Sequence, residues 1–168
     1  MNTHAEHQAD IDLLAALVAD IEIAMLVSVA ADGSLVSRPL ATLRTEPDGS
    51  LWFFTSAATG KVDDIGRQPQ VNLAYADPGN ETYVSVTGRA RVLVDPERAA
   101  ALWHPRARAF FPGGPEDPDL RLIRVEVEAA EYWRPSTGLS GQALRLMQAI
   151  TGQGPSDPGE HGHLEVRD

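Results

Sequence analysis

Between residues 5 and 21 the apolar positions recur at helical spacing. Leu14, Leu17, Val18 and Ile21 share a face, Ile11 and Leu13 flank it, and Asp10, Asp12 and Asp20 take the wet side. This spacing predicts an amphipathic helix. The period then shortens to that of a strand in AMLVSVAADGSLVSRPLATLRT (24–45), where Met25, Val27 and Val29 alternate with smaller residues. Asp32-Gly33 supplies a turn, and residues 35–44 return as the second strand of a hairpin. Pro39 cannot donate to a ladder, so its backbone is expected at an edge or a bulge. EPDGS (46–50) makes another turn, and Leu51–Thr55 a third strand.

Residues 60–67 read as a short helix that Arg67-Gln68-Pro69 ends. VNLAYA (71–76) reads as a strand, DPGN (77–80) as a turn and TYVSVTGRARVLV (82–94) as a long strand. In that long strand Val84, Val86, Ala90, Val92 and Val94 fall on one face, and Gly88 between them marks a bulge or bend. Asp95-Pro96 is an N-cap followed by a proline at the first helical position, opening a helix through Trp103. FFPGGPEDPDL (110–120) is a loop. RLIRVEVEAAEYW (121–133) is the last strand, with Ile123, Val125, Val127 and Ala129 inward and Arg124, Glu126 and Glu128 outward. Residues 141–151 suit a final helix, and 152–168, rich in Pro, Gly and Asp, suit a disordered tail. One domain over residues 1–151 follows. Tight turns between strands exclude a parallel doubly wound sheet; the expected fold is mainly β, an antiparallel sheet of about six strands closing into a small barrel with peripheral helices.

Composition narrows the chemistry. The 168 residues contain no cysteine, which excludes disulfides, thiolate catalysis and thiolate metal sites. His161 and His163 fall in the polar tail and read as a solvated pair, so no metal is expected. A formal charge of −10 with scattered arginines argues against nucleic acid as the main partner. The N-terminus carries acids where a signal peptide needs basic and then apolar residues, and no apolar run approaches the ~18–20 residues of a membrane span. A cytoplasmic protein without a membrane partner is expected.

One residue stands apart. Lys61 is the only lysine, against thirteen arginines, and it follows Thr55, Ser56 and Thr59 on a strand-to-helix turn. An ammonium with hydroxyls and the free N–H groups of a helix start suits a phosphate, and Arg38 in the neighbouring hairpin offers a second charge. These residues by themselves leave open a surface lysine among turn-forming hydroxyls, and an ordinary exposed strand arginine.

The succession SRPLATL (37–43), LWFFTSAATGK (51–61), RQPQVNLAY (67–75), YVSVTGRARVLVD (83–95), LWHPRARAFFPGGPEDPDL (102–120) and RVEVEAAEYW (124–133) resembles the general stress protein 26-like branch of the pyridoxamine 5′-phosphate oxidase-like flavin proteins. The resemblance runs from about residue 8 to 135. It implies a split β-barrel that forms a homodimer with FMN, or alternatively FAD, between the subunits. It implies further that Arg38, Pro39 and Leu40 lie along the flavin, with Arg38 reaching the phosphate. Phe54 and Thr55 would be strand-end cofactor contacts beside Ser56, and Lys61 the phosphate lysine. Trp133 matches the position from which an aromatic approaches the ring, from the other subunit, with Trp103, Phe110 and Phe111 at the same interface or in the core. The chain departs from the oxidases proper in having EYWRPSTGLSGQ where they carry Arg-Leu-x-Pro, and Gly60 where they carry an arginine. Vitamin B6 oxidation is therefore not expected.

No Ser-His-Asp or paired-carboxylate arrangement is evident, and His104, between Trp103 and Pro105, reads as structural or capping. The resemblance implies a flavin-dependent oxidoreductase acting on a small molecule. The alternatives are a non-catalytic flavin-binding stress protein and a deazaflavin (F420) reductase on the same barrel.

Overall fold

The computed structural model describes residues 3–135 and 159–166. Helix α1 (Thr3–Val18) buries Ile11, Leu14, Leu17 and Val18 as its spacing requires, and Ile21 follows into the core. Six strands then alternate with two short helices: β1 (Ile23–Val29), β2 (Leu35–Thr45), β3 (Leu51–Ser56), α2 (Gly60–Arg67), β4 (Gln70–Asp77), β5 (Thr82–Leu93), α3 (Pro96–Ala101) and β6 (Leu120–Pro135). Every pairing is antiparallel in the order β3-β2-β1-β4-β5-β6, and β3 pairs with β6 to close the ring. The fold is mainly β, a six-stranded antiparallel barrel.

Two apolar clusters explain why β3 is apolar on both faces. Leu51 and Phe53 point into the barrel with Leu26, Leu73, Val86, Ile123 and Val125. Trp52 and Phe54 point outward into a second cluster with Ala99, Leu102, Trp103, Phe111 and Leu120, under α3 and the segment that follows it. Asp95 caps α3 by accepting from Arg98 N at 2.9 Å, with Pro96 at the first helical position. The helix stops at Ala101, short of Trp103; His104 instead caps a separate 3₁₀ turn (Pro105–Ala109), its Nδ1 accepting from Arg106 N at 3.2 Å.

Pro39 faces Met25 on β1, while β3 begins to pair with β2 only at Thr42, after which the register shifts. The proline therefore sits where β2 has a neighbour on one side only, as its missing donor demands. In β1 the phase differs from a reading that singles out Met25, Val27 and Val29. Ala24, Leu26 and Ser28 are the buried set, and Met25 is exposed on the outer face.

A larger difference lies in β6. The bend expected at Gly88 is present, but the extra residue belongs to the partner strand. Thr87 pairs with Ala129 and Gly88 with Val127, so Glu128 is the extra residue of β6, its carbonyl accepting from Val166 N at 3.1 Å. A Cβ at residue 88 would overlap the Glu126 carbonyl, which explains the glycine. The bulge reverses the alternation of β6: Val125 and Val127 point inward before it, Ala130 and Tyr132 after it, so Ala129 leaves the inward set and Trp133 turns out.

The tail reading fails for the residues described. Gly159–Glu165 forms a seventh strand, β7, antiparallel to β6 along Ala129–Pro135, where β3 no longer covers that strand. Leu164 and Val166 are buried, Tyr132 donates to Glu160 at 3.0 Å, and Arg134 pairs with Glu160 at 2.8 Å. Nor are the two histidines a free solvated pair: the His161 ring stacks on Trp133, with 5.0 Å between centroids, and His163 lies 4.0 Å from Glu131. An edge strand with only Leu164 and Val166 facing inward carries too weak an apolar alternation to stand out in a polar tail. The helix expected at 141–151 lies outside the described residues.

Leu164→Ala tests this strand. Burial at this depth predicts a loss of about 2–5 kcal/mol in urea denaturation, whereas a solvated tail would give a change within about 0.5 kcal/mol.

Candidate functional site

β3 ends in Phe54, Thr55 and Ser56, and the chain turns before α2 begins at Gly60. The turn is held by hydroxyls: Thr59 Oγ1 donates to Ser56 O at 2.9 Å, and Ser56 Oγ accepts from Ala58 N at 3.2 Å. Thr59 is the N-cap of α2 but makes no capping bond with its side chain, so no side chain caps this helix start. Lys61, in the first turn, is buried at 8% exposure. Its ammonium donates to Thr55 Oγ1 at 3.0 Å. No carboxylate among the described residues lies within ion-pair distance of it.

One turn further along α2, Asp64 is also buried. Its carboxylate accepts from Arg38 Nη1 and Ser28 Oγ on one oxygen, both at 3.2 Å, and from Arg67 Nη2 on the other at 2.8 Å. Arg38 Nη1 also donates to Ser28 Oγ at 3.0 Å. Arg38 is thus fixed through one nitrogen. The other, Nη2, lies 3.5 Å from where a Cβ on Gly60 would be, so the start of α2 is open beside a guanidinium. Burial, and then the charge of Arg38, hold the Lys61 pKa below the ordinary lysine value. A lowered lysine pKa means that folding disfavours the charged form. That cost is present in full below the folded pKa and is relieved as pH rises from it toward the ordinary lysine value. An anion placed between the two cations would remove the cost.

These residues stand at the end of a cleft of about 870 Å³. Pro39, Leu40, Phe54, Thr55, Ser56 and Lys61 all line it, together with Thr59. Arg38 stands behind the start of α2 and is not part of the lining. The aromatic wall is Phe54 with Trp103 and Phe111, at ring separations of 5.7 and 6.2 Å. Trp103 and Phe111 therefore serve as both wall and outer core, while Phe110 lines the cleft at 79% exposure. Trp133 is elsewhere. It is 40% exposed on the outer face beside Tyr83, so a single protomer does not bring it to the cleft.

Sequence reasoning missed Asp64 and Ser28, and named Trp103, Phe110 and Phe111 without fixing the wall they form. Asp64 carried one faint signal, an acid three residues after a lysine on a short helix. Ser28 carried none, since only pairing shows it beneath Arg38. The opposite wall, Ala101–Phe111, joins the cleft through the packing of the outer cluster. Tyr75, buried with its hydroxyl 2.9 Å from the Thr42 hydroxyl of the lining, has its pKa pushed up to about 12 by burial and stays protonated.

Comparison with known proteins bears on this arrangement. The model of the pyridoxamine 5′-phosphate oxidase-like proteins matches residues 9–157. The chain belongs to that family. Among solved structures of similar proteins, the general stress FMN/FAD binding protein of Xanthomonas citri is 30% identical. That match covers 77% of this chain and 91% of the other, with a TM-score of 0.64. General stress protein 26 of Bacillus anthracis is 21% identical over 79% of this chain and 94% of its own, also at a TM-score of 0.64, a likeness of fold. Protein bli-3 of Neurospora crassa is 29% identical over 127 residues. The match covers 70% of this chain and 61% of that relative's length. Within this pyridoxamine 5′-phosphate oxidase-like barrel, the cleft between β2, the β3–α2 turn and the segment after α3 is the candidate site.

Asp64 is expected to be the structural centre of it. Asp64→Ala leaves two arginines without their buried carboxylate and should cost about 3–5 kcal/mol in thermal or urea denaturation. Arg67→Ala removes a half-exposed partner and should cost about 1 kcal/mol or less.

Proposed function

We propose that this chain binds FMN in the cleft, phosphate against Lys61 and ring system along the open edge of β2 at Arg38–Leu40, and acts as a flavin-dependent oxidoreductase on a small molecule. One observation carries the reading: a buried lysine with a single hydroxyl partner stands beside a guanidinium, at the open start of a helix and the end of a large apolar cleft. The donor set fits a phosphomonoester. Lys61 retains donors beyond its bond to Thr55, Arg38 Nη2 faces the gap that Gly60 leaves, and Ser56 and Thr59 add hydroxyls. The relative from Xanthomonas citri, described as FMN/FAD binding, supports the same cofactor class.

Bound flavin would supply the redox chemistry. The chain's own residues would hold the phosphate, cover the ring with Phe54 and the aromatic wall, and limit water. Tyr75 would keep the Thr42 hydroxyl oriented at the cleft surface. We further propose a homodimer. Ile23 and Met25 on β1, Tyr83 on β5 and Trp133 on β6 are exposed, and Ile23 also lines the cleft. A second copy over these residues would cover apolar surface and bring its Trp133 toward the site.

Flavin titration tests the assignment. Lys61→Ala should weaken FMN by about 1.5–3 kcal/mol, the range for a charge-assisted hydrogen bond, and leave riboflavin nearly unchanged. Equal loss for both ligands would remove the lysine from the phosphate. The ratio of FMN to riboflavin affinity should also fall as pH rises through the depressed Lys61 pKa, below the range in which an ordinary lysine titrates. Turnover of NAD(P)H by the flavin-loaded protein favours the oxidoreductase; tight binding without reduction favours a non-catalytic flavin carrier.

A further inference from the structure

We propose that, when no phosphate occupies the cradle, Lys61 is a carbonyl-reactive amine and the cleft captures small aromatic aldehydes as an imine on its Nζ. The geometry meets three separate requirements of such a nucleophile. It must be free of a carboxylate that would hold it as an ammonium. Among the described residues none is within ion-pair distance, and Asp64 on the same helix is committed to Arg38, Arg67 and Ser28. It must be desolvated and beside another positive charge, the two conditions that favour the free base of a lysine. Lys61 is buried next to Arg38, and both effects lower its pKa. It must also be reachable by a ligand, and its side chain lines the cleft. Its one partner, Thr55 Oγ1, is a hydroxyl that accepts from a neutral amine as well as from an ammonium.

The cleft selects the class of carbonyl. Its wall beyond the hydroxyls is Phe54, Trp103 and Phe111, which suits a flat aromatic ring attached to the aldehyde. In the reaction the Nζ lone pair attacks the carbonyl carbon and forms the C–N bond. Both remaining amine protons leave with the carbonyl oxygen as water, giving a C=N bond with no change in oxidation state. The same nitrogen cannot serve both purposes at once. A phosphate anion stabilises the ammonium and suppresses attack, so phosphate binding and aldehyde capture exclude each other. That competition rests on the flavin reading; the capture itself does not.

The chain makes the test clean, because Lys61 and the amino terminus of Met1 are its only primary amines. Flavin-free protein is incubated near pH 7.5 with benzaldehyde and cyanoborohydride, and the reduced adduct is located by peptide mass mapping. Labelling of Lys61 should proceed several-fold faster than that of Nα-acetyl-lysine amide, because burial and the charge of Arg38 favour the free base. Lys61→Arg should be labelled at Met1 alone, and hexanal should react more slowly than benzaldehyde. Arg38→Gln, shown to be folded by circular dichroism, should slow the labelling several-fold. Labelling confined to Met1, or a Lys61 rate no greater than that of the free amine, overturns the proposal. Equal rates for hexanal overturn the aromatic class, and an unchanged rate in folded Arg38→Gln overturns the electrostatic basis. FMN added beforehand should slow the reaction. Fast labelling in protein that binds no FMN would leave the capture standing and sink the flavin assignment; FMN binding without enhanced labelling would do the reverse.

Discussion

The carboxylate of Asp64 ties the working parts of this molecule together. It is buried on α2 and accepts from a serine on β1, an arginine on β2 and an arginine on its own helix. A carboxylate at that depth is tolerated only because its donors are charged and its two oxygens are both used. The consequence is positional. α2 is fixed against the barrel, Arg38 is held through one nitrogen, and Lys61, one turn earlier, lines the cleft with no carboxylate among the described residues within ion-pair distance. The asymmetry gives the site its character: the acid serves the arginines, and the lysine donates to the Thr55 hydroxyl instead.

The second constraint is the bulge in β6. A single inserted residue, Glu128, reverses which side chains of the strand face the core. Before it the strand closes the barrel against β3; after it the same strand turns Tyr132 inward and Trp133 outward and offers its free edge to β7. One bulge thus separates the two tasks of the longest strand. The first half builds the barrel and the floor of the outer cluster. The second half presents Trp133, stacked on His161, on the outer face.

The site itself is a meeting of two clusters. The inner core fixes β2 and β3, while the outer cluster brings the segment after α3 over Phe54. The lining of the cleft combines the hydroxyls of Thr55, Ser56 and Thr59 and the ammonium of Lys61 with the rings of Phe54, Trp103, Phe110 and Phe111.

Much of this was already legible along the chain. Alternating apolar positions and Asp-Gly turns required antiparallel hairpins, Asp95-Pro96 required a helix start, and Pro39 required a strand with one free side, because each depends on local backbone chemistry alone. The lone lysine behind three hydroxyls drew attention to the β3–α2 turn for the same reason, but left its role open. What the sequence could not decide was anything that depends on which strand lies opposite. The phase of β1, the reversal at Glu128 and the docking of β7 follow from pairing register, where a shift of one residue exchanges the two faces. Likewise the burial of Lys61 and the commitment of Asp64 to Arg38 arise only when α2 packs on the barrel, because desolvation and charge pairing are properties of neighbours distant in the chain.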